Sequence, residues 1–134
     1  MHHPKIEEVV RRDPRYALEA YEFVYAALAH TLEMLGQASE EGSEGSHVSG
    51  QQLLYGIRDL ALREYGLMAR QVLRMWGINQ TDDFGEIVFN LIDAGLMSKT
   101  PEDDRRHFHA VYDLDVALTQ DYRIELPNDQ PEDG

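Results

Sequence analysis

The sequence contains no cysteine, which excludes a disulfide framework, a thiolate metal site and a thiol nucleophile. It has no apolar run approaching the roughly 20 residues that a membrane-spanning helix requires. The opening Met1-His2-His3-Pro4 lacks the basic stretch and apolar run of a signal peptide. Tryptophan occurs once, and basic residues are scarce: 12 against 25 acidic ones, for a formal charge of -13. Such a chain repels phosphate backbones, whose binding depends on neutralisation by Lys and Arg. These absences predict a water-soluble, cytoplasmic protein with no membrane partner, and they argue against nucleic acid. The negative charge suits either solubility or contact with a basic partner.

What is present is helical patterning. With 134 residues, 43% of them hydrophobic, the chain can bury one core and has too little left for a second. The expected organisation is a single helical domain over 1–124 and an acidic tail over 125–134 that does not order by itself. Within the domain, the Gly/Ser/Glu-rich stretch 37–48 reads as a mobile acidic loop. A short opening helix over 4–12 has Ile6, Val9 and Val10 on one side. Asp13-Pro14 reads as the start of a long helix ending at Gly36, because Asp accepts at an N-cap and Pro fits the first turn. Leu18, Tyr21, Tyr25, Leu28, Leu32 and Leu35 then recur at three- and four-residue spacing, one apolar stripe.

Ser49 and Gln52 have the spacing of a capping box, opening a helix that Gly66 closes. A third patterned segment runs over 67–76, with Val72, Leu73 and Trp76 facing inward and Gly77 as a left-handed end. Thr81 reads as the cap of a helix over 82–94, with acids in its first turn, where the helix dipole favours them. The stretch 96–112 has two readings: a helix started by Thr100-Pro101, or a hairpin pairing 96–99 with 108–112. Asp113 then caps a short helix reaching 122. The fold class expected is mainly α, a compact bundle of five or six helices, winged-helix-like if 96–112 is a hairpin.

Chemistry is thinly represented. No GxxxxGK[ST] or GxGxxG occurs, so no phosphate-cradling or dinucleotide loop is indicated. Ser46, Ser49 and Ser98 have no base in a recognisable motif. His107 and His109 would share a face on a strand and diverge by about 200° on a helix, where a shared metal site fails. His30 and Glu33, three apart, reverse the Glu-x-x-His order of di-metal bundles and read as a surface ion pair. His2 and His3 carry no functional reading. No cofactor and no metal is therefore expected. Arg63, Arg70 and Arg74, with Arg58 upstream, flank the Gly66 corner and form a candidate anion patch, in competition with pairing to acids such as Asp59 and Glu64. The long helix is apolar over more than one face. Its Tyr21, Tyr25, Leu28 and Leu32 are the first candidate surface for another protein or for self-association, framed by acids.

Two resemblances follow from particular blocks. RYALEAYEFVYAAL, HVSGQQLLYGIRDLALREYG, WGINQTDDFGEIVFNLIDAGLMSKT and FHAVYDLDVAL resemble the successive blocks of an uncharacterised protein family of planctomycetes and verrucomicrobia. That resemblance covers nearly the whole chain and implies no activity, substrate or site. GLMSKTPEDDRRHFHAVYDL, after two helices, resembles the wing of MarR-type winged-helix regulators over roughly 67–114. It implies helix 82–94 in the major groove and Arg105 and Arg106 near a wing tip, reaching phosphate or the minor groove. The sequence departs from that family in the groove-reading helix, which carries Asp82, Asp83, Glu86 and Asp93 and no base. The function expected is a small acidic non-enzymatic interaction module; a winged-helix regulator is the alternative and an enzyme the third reading.

Overall fold

A computed structural model describes residues 4–36, 48–97 and 104–118. Six α-helices follow in order: α1 (Pro4–Arg12), α2 (Leu18–Met34), α3 (Gly50–Tyr65), α4 (Ala69–Met75), α5 (Thr81–Asp93) and α6 (Leu114–Ala117). Two 3-10 turns, Gly66–Met68 and Arg105–Phe108, complete the described elements. The protein is a mainly α helical fold, as the periodicity predicts. Residues 37–47 of the acidic loop, the Thr100-Pro101 helix start and the 125–134 tail lie outside the described residues, as do His2, His3 and His47.

α2 is the central helix, packed on α3, α5 and α1. Its buried side is Ala20, Tyr21, Phe23, Val24, Ala27 and Thr31, while Leu28, Leu32 and Leu35 are half-buried on its shoulder. The core line is thus rotated from the leucine stripe, because small residues let α3 approach closely. Gly56 of α3 faces Thr31, and a Cβ at 56 would collide with the Thr31 hydroxyl. That hydroxyl donates to Ala27 O at 2.7 Å, which satisfies it inside the core. The remaining core is Leu53, Leu54, Ile57 and Ala61 from α3, Phe84, Ile87 and Leu91 from α5, and Ile6 and Val9 from α1.

Several helix ends follow the sequence signals. Ser49 Oγ accepts from Gln52 N at 3.1 Å and Gln52 Oε1 accepts from Ser49 N at 3.0 Å, the reciprocal box expected. α4 ends with Gly77 at φ 95°. There Ile78 N donates to Leu73 O (2.9 Å) and Gly77 N to Arg74 O (3.0 Å), a Schellman end. α5 ends in the same way at Gly95.

Other expectations need correction. Asp13 does not cap α2: that helix starts at Leu18 after an extended Ala17 with no side-chain cap. Asp13 instead accepts from Arg15 Nε (2.8 Å), Arg15 Nη2 (2.7 Å) and Asn90 Nδ2 (2.8 Å), so its carboxylate is committed to a turn and to α5. The N-cap of α5 is Gln80 rather than Thr81. Thr81 is fully buried, and its Oγ1 accepts from Val111 N at 3.1 Å. The third patterned segment is shorter than its spacing suggested, since 66–68 form a separate 3-10 turn.

No strand occurs among the described residues, so the hairpin reading of 96–112 is not supported. Arg105–Phe108 coils because Phe108 must turn inward: its ring is 4% exposed and seats between α3 and α5. Gly50 and Gly85 make that seat, for a Cβ at either would come within 2.9 Å of Phe108. Asp113 does cap α6, its Oδ1 accepting from Asp115 N at 2.8 Å.

Candidate functional site

The polar face of α5, which a groove-reading helix would present, is closed by the protein's own side chains. Asp82 accepts from His109 Nδ1 (2.7 Å) and Asp83 from the Tyr16 hydroxyl (2.7 Å). Glu86 accepts from Arg105 Nη1 at 2.7 Å and meets Arg15 at 3.5 Å. Asn90 donates to Asp13 (2.8 Å) and to the Tyr21 hydroxyl (3.1 Å). These bonds set the local electrostatics. Arg15 holds the Asp13 carboxyl down at about 2, helped by Asn90 against the opposing effect of burial. Burial, with Asp83 as its acceptor, pushes the Tyr16 hydroxyl up. Burial also raises Tyr21 to about 12. His109 lowers Asp82. The arrangement fastens α5 to the α1–α2 turn and to the 105–111 segment.

The expected wing arginines are therefore separated in role. Arg105 is tied to Glu86 and stacks over Phe89, its Cζ 4.9 Å from the ring centre. Arg106 stays in solvent, paired with Asp104 at 2.8 Å, and that pairing lowers the Asp104 carboxyl to about 2. His30 reaches across to Asp59 on α3 at 2.8 Å rather than to Glu33. Burial works to raise the Asp59 carboxyl, but the bonds from Arg63 and His30 outweigh it and lower it. Among the described residues, no three His, Asp or Glu side chains converge as metal ligands.

The α2 surface is not continuous. Tyr21 is fully buried, whereas Tyr25 is 40% exposed. Leu28 and Leu32 are half-buried. Leu28 lines a cleft of about 270 Å3 with Leu53, Val88, Phe89, Ile92 and Leu96 among others. The cleft's titratable side chains are Asp104, already held by Arg106, and His107.

Among the described residues, three of the five exposed large apolar side chains lie elsewhere, at the corner where α3 meets α4. Leu67, Met68 and Met75 are 72%, 52% and 74% exposed. Leu67 and Met68 belong to the 3-10 turn before α4, and Met75 is the last residue of α4, whose buried residues are Ala69 and Leu73. Trp76 follows Met75, half-buried against Phe23 and Tyr65 with ring centres 5.6 and 5.8 Å away. This surface was missed in the sequence, where the short α4 pattern reads as an inward-facing helix. The signal was there in Leu67, Met68 and Met75 falling off the Leu73 face.

The candidate anion patch belongs to this corner and is partly assembled. Arg70 Nε donates to Asp115 of α6 at 2.7 Å, and its Nη1 to Ile78 O at 3.1 Å. Arg74 approaches the same carboxylate at 3.5 Å. Arg63 bonds Asp59 at 2.6 Å, one turn back on α3, the pairing that the sequence offered as the competing reading. Arg58 is set apart, buried with its Nε donating to Ala117 O at 2.8 Å. The arginines of this corner are thus paired with acids that the fold brings to them, Asp59 and Asp115. No helix among the described residues is long and apolar enough to cross a membrane. No protein-family model, curated protein or solved structure matches the chain.

Proposed function

We propose that this protein is an interaction module that docks another protein on the α3–α4 corner. The carrying observation is the exposure of Leu67, Met68 and Met75, three large apolar side chains within the short turn and helix that follow α3. Leaving large apolar side chains in water forfeits about 1.5–3 kcal/mol each that burial would return. Scattered single residues need no explanation, but a clustered strip marks a contact surface. Methionine suits the task, being unbranched and polarizable and able to fit partners of different shape.

The cleft beside Leu28 supports the same class of activity more than catalysis. Its described walls are chiefly apolar, and among the described residues its titratable side chains are Asp104 and His107. The nucleic-acid alternative is disfavoured by α5, whose acids are all drawn into internal bonds except exposed Asp93.

The test is a paired capture. Tagged wild-type protein and a Leu67→Ser/Met75→Ser variant are used as baits in a lysate of the cells that express it. A protein held by the wild type and lost from an equally folded variant supports docking at the corner. Identical sets on both baits overturn it.

A further inference from the structure

The cleft beside Leu28 has a composition that narrows what it can hold. Helices α2, α3 and α5 supply Leu28, Leu53, Val88, Phe89 and Ile92 to its walls. Among the described residues no lysine or arginine lines it, in a chain whose formal charge is -13, and its one acid is Asp104. That carboxylate already has both oxygens on Arg106, which donates from its backbone N, Nε and Nη2. His107 is different: among the described residues its imidazole has no hydrogen-bond or ion-pair partner. The stretches 37–47 and 98–103, which run on from these walls, contain Ala38 and Pro101 as their only apolar residues, so neither has a large apolar side chain to offer the cleft.

From this we infer that the cleft binds a small uncharged molecule, an apolar body with one hydrogen-bonding group, of the class of a two-ring aromatic alcohol. The inference is independent of docking at the α3–α4 corner. Volume sets the size. An apolar cavity of about 150 Å3 takes benzene, so this one, at about 270 Å3, takes roughly ten non-hydrogen atoms. The lining sets the charge. An ion desolvated against these walls would meet no lysine or arginine, and the one carboxylate is already neutralised by Arg106. Burying an ion without its counter-charge costs more than apolar contact returns. A hydroxyl avoids that cost and finds its partner in the imidazole of His107, which offers a donor on one ring nitrogen and an acceptor on the other.

The experiment titrates the isotope-labelled full chain with 2-naphthol, and with 2-naphthoate and 2-naphthylmethylammonium, which keep the two rings and add a charge of either sign. Amide resonances are followed by NMR, where glycines stand apart, so Gly50 and Gly95 report from the lining itself. The naphthol is expected to shift both saturably and to bind at least about tenfold tighter than either ion. Leu28→Trp, which adds bulk from the half-buried edge of the cleft, is expected to weaken it at least about tenfold. His107→Ala, an exposed change that spares the packing, is expected to weaken it roughly threefold or more. Circular dichroism confirms that each variant folds. No saturable shift at Gly50 and Gly95 overturns the inference, as does an ion that binds as tightly as the naphthol, or binding untouched by both variants. Binding that depends on Leu67 and Met75 instead places the probe on the corner and overturns the cleft site. If the probe binds only after residues 122–126 are deleted, the chain's own Tyr122, Ile124 and Leu126 take the place, and the inference falls as well.

Discussion

Gly56→Ala adds one methyl group where α2 and α3 touch, and its cost can be worked from the geometry. The new Cβ would meet the Thr31 hydroxyl head-on and lie 2.8 Å from Thr31 Cβ, closer than carbon atoms approach. The hydroxyl cannot swing aside without breaking its 2.7 Å bond to Ala27 O, a loss of about 1 kcal/mol. Overpacking adds roughly 1–3 kcal/mol. Alanine's better helix propensity offsets up to about 1 kcal/mol of this. The expected net destabilisation is therefore about 1–3 kcal/mol. Thr31→Ala alone loses the hydrogen bond and a buried methyl, about 1–2 kcal/mol. In the double variant the oxygen and methyl that collide are gone and only the 2.8 Å approach to the Cβ at 31 remains, so the two effects do not add. Urea unfolding followed by circular dichroism and Trp76 fluorescence should give a coupling of at least ~1 kcal/mol, with the double variant more stable than the sum predicts. Additivity within about 0.5 kcal/mol, or a stabilised Gly56→Ala, would refute the claim that this contact sets the helix approach.

Phe108→Ala empties the seat between Gly50 and Gly85 and should cost about 3–5 kcal/mol, or release the segment locally if it opens first. Hydrogen exchange at the Val111 amide, now bonded to Thr81, separates these outcomes; unchanged exchange and unchanged stability would contradict the seat. Asp13 is held at about 2 against an ordinary 3.8, so its bonds to Arg15 and Asn90 stabilise the fold above pH 4. That contribution, on the order of 1 kcal/mol after solvent screening, fades as pH falls from about 4 to 2. Acid titration of stability should show this loss in the wild type and a flatter profile in Asp13→Asn; superimposable profiles would exclude the assignment. Labelled duplex DNA at low salt should show no anisotropy change up to high-micromolar protein, a range that covers non-specific binders of about 10⁻⁴–10⁻⁶ M. Binding that Arg105→Ala/Arg106→Ala abolishes would instead restore the regulator reading.

The helices were legible because their signals are local. Ser49 and Gln52 sit three residues apart, and Gly77 and Gly95 follow the last periodic residue of their helices, so capping chemistry can be read directly. Asp13 misled because an N-cap signal competes with any donor that the fold brings near, and Asn90 comes from the far side of the chain. The leucine stripe of α2 misled for a related reason. Hydrophobic spacing finds the apolar side of a helix, but the closest approach goes to Ala20, Val24, Ala27 and Thr31, where small volume matters more than hydropathy. Phe108 was unreadable as a wedge because its seat is an absence of side chains at Gly50 and Gly85. Exposure at Leu67, Met68 and Met75 likewise depends on what α4 packs against, which no short window contains. The arginines were legible as a group and not in their partners: Asp115 reaches Arg70 only through the fold.

The seat of Phe108 also has a consequence for how this sequence can diverge. Three positions far apart in the chain share one small volume, so they cannot drift independently. A side chain at 50 meets the far edge of the ring and is admissible only where the residue at 108 shrinks, whereas one at 85 meets the Cβ of residue 108, which any side chain there keeps. Among descendants of this sequence 50 and 108 should change together while 85 stays glycine, one pair coupled and one position fixed by a single wedge.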